Sequence, residues 1–153
     1  MQKKIALSLN IPFATQTQTL NTYKVAIRHV NAHALVNAAL SFTLNGTTIV
    51  AAVIVYGGIA AHAVRMGATE AYLIGKDITS STVFQAALKV LQTEIQQKIV
   101  SDERTAYRTS VALAFFYKFF LTQQPNLPSY LQSAAQDYER PVTGGARSFQ
   151  TSP

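Results

Sequence analysis

The apolar residues of this chain change period once, near Glu70, from two to about 3.6, and no proline interrupts the sequence between Pro12 and Pro125. Strand patterns come first and helical patterns after, without mixing. That order is the mark of an antiparallel sheet with helices gathered against it. The pattern therefore predicts an α+β fold: a small antiparallel sheet of three to four strands packed against a helical layer, followed by an extended C-terminal linker.

The first part reads as strands. Ile5, Leu7, Leu9 and Ile11 alternate with Ala6, Ser8 and Asn10 until Pro12 closes the run. This period-two pattern predicts a strand and argues against a signal peptide, although Lys3 and Lys4 precede it. A Thr/Gln-rich connector at 14–21 leads to a second strand at 22–28, with Tyr23, Val25 and Ile27 on one face and Lys24, Ala26 and Arg28 on the other. At the rise of a strand the two cations would stand about 13 Å apart over the small Ala26. Such a face suits a flat or anionic ligand, and it is also what an ordinary solvated strand looks like. Residues 34–44 alternate again, and Asn45-Gly46 supplies the pair preferred by a type I′ hairpin turn. The returning strand, 47–56, is almost continuously apolar, as expected for a strand covered on both faces. It ends in VYGGIAAHAVR at 55–65. The two glycines belong to neither a dinucleotide fingerprint nor a P-loop, so they are read as the bend where the last strand leaves the sheet, with Arg65 as a surface contact.

The second part reads as helices. Thr82-Val83-Phe84-Gln85 resembles a capping box, and Phe84, Leu88, Leu91 and Ile95 form one helical stripe. A further helix is predicted from about Ser101, with Asp102 and Glu103 at its positive end, to about Leu121. Residues 111–121 are apolar nearly all round apart from Lys118, which predicts a helix enclosed by neighbours and too short to cross a membrane. From Gln123 the composition turns to Gln, Pro, Ser and Asn, the signal of a linker.

Several function classes are disfavoured by the same residues. The chain has 153 residues, enough for one domain. Its 48% hydrophobic against 13% charged content implies surfaces covered by partners. With no cysteine, thiolate sites and disulfides are excluded. The net charge of +6 is scattered, with Lys3, Lys4, Lys24, Arg28 and Arg65 preceding the first acid, so nucleic acid is not expected as a partner. His29 and His33 have helical metal-ligand spacing but follow a strand pattern with no nearby acid, so they and His62 read as loop or interface residues. The acids are read as solvated: Asp102 and Glu103 at a helix start, Glu94 on an exposed helix position, Asp137 and Glu139 in the tail. Ser8 in a strand and Ser110 in mid-helix lack the elbow and base of a nucleophile.

Taken in order, KKIALSLNIP (3–12), YKVAIR (23–28), ALVNAA (34–39), YGGIA (56–60), EAYLIGK (70–76) and YRTSVALAFFYKF (107–119) resemble the C-terminal part of the FAD domain of the molybdenum hydroxylases, the xanthine dehydrogenase and aldehyde oxidase family. This is also the part similar to the CO dehydrogenase flavoprotein C-terminal domain. RPVTGGARSF (140–149) is similar to the family's connector between flavin and molybdenum domains. The resemblance implies that residues 1–123 form the C-terminal subdomain of an FAD-binding domain and 124–153 the linker toward an absent molybdenum-cofactor domain.

The resemblance further implies FAD as the cofactor here, with Lys24 as a flavin contact. The family's contact near the end of the preceding strand falls on Ala6, as a main-chain contact, since the family more often has a larger aliphatic residue there. Molybdopterin and 2Fe-2S clusters are implied for the parent protein outside this chain. Electrons would pass from iron–sulfur clusters through FAD to NAD or oxygen in a cytoplasmic, homodimeric oxidoreductase. The family's second base and acids after Arg28 are replaced by His29, Val30 and Asn31, which implies altered tuning of the flavin or handling of NAD. The alternative from the residues alone is a non-enzymatic cationic module for an anionic partner such as nucleic acid.

Overall fold

The computed structural model describes residues 7–28 and 31–135. Strands β1 (Gln18–Ala26), β2 (Ala34–Asn45), β3 (Thr48–Gly57) and β4 (Val64–Arg65) are followed by helices α1 (Gly67–Leu73), α2 (Ser81–Lys98), α3 (Thr105–Thr122) and α4 (Ser129–Ala135). The strands form one antiparallel sheet in the order β1-β2-β3-β4. The α+β architecture and the strand count agree with the sequence pattern.

The hairpin forms with a different turn. Asn45 pairs with Thr48, which leaves Gly46 and Thr47 as the central residues. Of these only Gly46 has positive φ, at 61°. A type I′ turn needs positive φ at both central positions, whereas glycine alone at the first is the demand of type II′. Asn45 therefore ends the strand instead of making the turn, and a bulge between Thr43 and Leu44 adjusts the register.

One face of the sheet is the core face. Tyr23, Val36, Leu40, Phe42, Ile54 and Tyr56 are buried beneath the helices. Helix α3 lies along β1 and β2, with Tyr23 stacked on Phe115 at 5.2 Å between ring centroids and Phe42 tilted against Phe119 at 4.9 Å. Helix α2 packs on α3 through Phe84, which meets Phe116, Tyr117 and Phe120. The stripe expected on α2 is the buried one, with Phe84, Leu91 and Ile95 inside and Leu88 packed at its edge.

The other sheet face has no cover among the described residues, which corrects the expectation for β3. Val50 and Val53 are exposed, so this apolar strand is buried on one side only. Helix α3 is likewise not enclosed all round: Ser110 and Ala114 are exposed. Residues 7–11 form no strand; Leu7, Leu9 and Ile11 are 75% or more exposed. A period-two run becomes a strand only beside a partner, and no described strand lies next to it. The predicted cap also moves back by two residues, from Thr82 to Ser80, which is the N-cap of α2 and accepts from the Val83 N–H at 3.4 Å. Helix α3 starts at Thr105, with Asp102 before it receiving the Arg104 N–H and pairing with Arg108 at 2.9 Å. Helix α4 occupies part of the expected linker and buries none of its residues. No helix among the described residues is long and apolar enough to cross a membrane.

Candidate functional site

The uncovered sheet face carries a depression of about 430 Å³ lined by Thr22, Lys24, Asn37, Ala39, Val55 and Gly57, with Ala63 at its edge. Antiparallel pairing sets these residues in two rows. Thr22, Ala39 and Val55 face each other across β1, β2 and β3, and Lys24, Asn37 and Gly57 do the same one pleat further on. Because partners in a row point to the same side, all six side-chain positions look outward together. The floor is flat because Ala39 and Gly57 add little above the backbone.

Polarity is concentrated in one row. The side chains of Lys24 and Asn37 are direct cross-strand neighbours, and neither makes a hydrogen bond or ion pair with a described residue. An ammonium and a primary amide thus belong to one cross-strand row, with bonding capacity that no described residue takes up. Directly behind Lys24 on the strand, Tyr23 points the other way into the core, where Lys118 lies 5.9 Å from its ring centroid.

The paired glycines shape the rim. β3 continues through Gly57, and at Gly58, with φ of 81°, the chain leaves the sheet. A Cβ at Gly58 would stand 2.3 Å from the Leu35 carbonyl oxygen. The bend expected there is present, but the chain then returns as β4, pairing Val55 with Arg65 and Tyr56 with Val64. Arg65 is held by Glu70: its Nε donates to both carboxylate oxygens at 2.8 Å. The same Glu70 accepts from the Ile54 N–H at 2.7 Å, tying the start of α1 to the sheet edge. This hydrogen bond and the charge of Glu70 push the Arg65 guanidinium further above its ordinary range.

Two expectations about the site change. Arg28 lies past the end of β1, with Nη2 and Nε donating to the Asn31 carbonyl at 2.6 and 3.2 Å. The strand stops because the register shifts at Val25/Ala26 and the chain turns toward Asn31, whose φ is 51°. Lys24 and Arg28 therefore do not form a two-cation strand face. Glu94, read from its sequence context as solvated, is buried: it accepts from the Ala68 and Thr69 N–H groups and the Thr69 hydroxyl, at 3.2, 2.9 and 2.9 Å. Glu70 is buried as well. Asn37 carries no signal in the sequence, and Gly57 reads there only as part of a bend, because only β-pairing places them in the row of Lys24. Ala6 and His29 lie outside the described residues. His33 and His62 are exposed, and no group of three metal-ligating side chains exists among the described residues.

The described residues thus form an antiparallel sheet with helices on one face and a depression on the other. Residues 21–123 match the family described as the CO dehydrogenase flavoprotein C-terminal domain, and the chain belongs to that family. Over 155 aligned residues it is 33% identical to a xanthine dehydrogenase of Emericella nidulans, covering 97% of this chain and 11% of that protein. It is 27% identical to aldehyde oxidase 4 of Mus musculus, covering 97% of this chain and 12% of that one. The chain thus spans about a ninth of these relatives. Among solved structures, a carbon monoxide dehydrogenase from Hydrogenophaga pseudoflava matches with a TM-score of 0.58 at 23% identity over 69% of this chain and 36% of the other. Quinoline 2-oxidoreductase from Pseudomonas putida 86 matches at 0.54 and 24% identity, over 68% and 36%. At these identities the structural likenesses bear on the fold. The relationship to molybdenum hydroxylases implied by the sequence segments is thereby established, and with it homology to a part of oxidoreductases.

Proposed function

We propose that this chain is the C-terminal part of an FAD domain in a xanthine dehydrogenase/aldehyde oxidase-like enzyme, and that Lys24 forms part of the flavin pocket. In this reading residues 1–123 are the subdomain and 124–153 the connector toward a molybdenum domain. The observation that carries it is the placement of Lys24, without a partner among the described residues, beside a floor of small residues on the sheet face that no described residue covers. The lining fits a planar ring: small residues, Ala39 and Gly57, form the floor, Val55 the wall, and the ammonium and amide share one row, with the Thr22 hydroxyl in the next. A depression of about 430 Å³ holds part of a dinucleotide, so the remainder would rest on the upstream half-domain. Ala6, in the segment before β1, is proposed as a second, main-chain contact.

FAD, when bound, supplies a carrier that accepts electrons and passes them on. The chain's own contribution is electrostatic. The Lys24 ammonium places a fixed positive charge beside the ring, and a cation at such a position favours added negative charge. The family resemblance extends the proposal to electron entry from iron–sulfur clusters, delivery to NAD or oxygen, and a cytoplasmic homodimer as parent. The alternative of a cationic binding module loses its geometric basis, since Arg28 does not share the face of Lys24.

The test is Lys24→Ala in the full-length parent. Lower FAD content, or a flavin potential more negative by tens of millivolts, is the expected result. Unchanged FAD content, potential and turnover would remove Lys24 from the site.

A further inference from the structure

Asn37 stands between Lys24 and Gly57 in the same cross-strand row, and its amide lies over the glycine: a Cβ built on Gly57 would be 2.1 Å from Asn37 Oδ1 and 3.4 Å from Nδ2. The amide is therefore laid across the floor of the depression instead of standing away from it. It has no hydrogen bond to any described residue and is exposed. A primary amide offers one acceptor and two donors in a plane, which matches a ring edge that carries an N–H beside a C=O. Only glycine at position 57 permits this pose, because any side chain there would occupy the same space.

We propose that Asn37 is a specificity-determining contact that pairs, through Oδ1 and Nδ2, with the imide edge of a planar heterocycle lying in the depression. The inference rests on the reading of this face as part of a flavin pocket and deepens it: the edge in question is the pyrimidine-like N–H and C=O of the ring. Lys24 is the cross-strand partner of Asn37 on β1, on the side away from Gly57, so the cation lies in the same row as the amide. The neighbouring row offers the apolar Ala39 and Val55, with the Thr22 hydroxyl at its β1 end, and Ala39 and Val55 suit the hydrocarbon part of the ring. The row thus orients the ring as well as holding it.

The experiment uses the full-length parent protein stripped of FAD and measures the dissociation constants of FAD and of FAD methylated at the imide nitrogen. Wild-type protein is expected to bind the methylated analogue about tenfold more weakly, because one bidentate pair is lost. Asn37→Leu should weaken FAD by a similar factor and bind the two ligands equally. Gly57→Ala keeps the amide but displaces it and should reduce the discrimination in the same direction. Equal binding of both ligands by the wild type, or undiminished discrimination in Asn37→Leu, overturns the inference. Those outcomes leave the flavin reading standing if Lys24→Ala still alters FAD binding. A parent protein with no affinity for FAD defeats both.

Discussion

Tyr56 shows how much one side chain can connect. Its ring is fully buried between the sheet and α3, and its hydroxyl donates to the Ala112 carbonyl at 2.8 Å, joining residues 56 positions apart. Burial, with a smaller contribution from nearby Tyr23, pushes its ionisation well above the ordinary tyrosine range. The sign follows from proton binding. Above pH 10 the unfolded chain begins to release this proton while the folded chain retains it, so stability falls as pH rises from there. Tyr56→Phe should cost about 1 kcal/mol at neutral pH through the lost hydrogen bond and should flatten the decline above pH 10, read by denaturant unfolding across pH. Gly58 is a second residue whose role is backbone geometry. With φ of 81° and a Cβ destined to stand 2.3 Å from a main-chain oxygen, Gly58→Ala should lower stability by ~3 kcal/mol or more. A variant with an unchanged thermal midpoint would show that this turn is free to move.

At the scale of elements, α1 is held from outside itself. It has seven residues, and its N-cap Met66 makes no side-chain cap bond. Its free N–H groups are satisfied by Glu94 of α2, which also approaches Lys98 at 3.8 Å. Removing that carboxylate strands the buried N–H and hydroxyl of Thr69. Glu94→Ala should destabilise by about 2–4 kcal/mol, and Glu94→Gln by less, in chemical unfolding. Since α1 carries Glu70 to the β3 edge and to Arg65, amide exchange at Ile54 should quicken in Glu94→Ala. Unaltered exchange at Ile54 would show that α1 is anchored by its apolar residues alone. Helix α1 was not legible as an element because its cap comes from 25 positions downstream. Helix α2 was legible because its stripe is local, and the misplacement of its cap by two residues reflects a stretch, Ser80 to Thr82, in which every residue is able to cap.

For the whole molecule, the decisive fact is the sheet face left uncovered by the described residues. Leu20, Val50 and Val53 are exposed on β1 and β3, as are Leu7, Leu9 and Ile11 before them. Clustered apolar surface of this kind marks a site of association. Joined to the upstream half-domain, the chain should bind FAD and turn yellow; alone it should bind FAD poorly and self-associate in size-exclusion chromatography. Tight FAD binding by the isolated chain would refute the shared-site reading. The change of apolar period at Glu70, the hairpin, the main helical stripe and the order of family segments were readable in the sequence, because each depends on neighbours a few positions away. Whether an apolar strand is covered on one face or two, whether Glu70 and Glu94 meet solvent or backbone donors, and whether Arg28 stands beside Lys24 depend on register and on helices packed from far along the chain. By itself the sequence determined the α+β class, the family and the candidacy of Lys24. Tertiary structure alone decided that Asn37 and Gly57 share its row, because cross-strand pairing brings together residues that no local spacing relates.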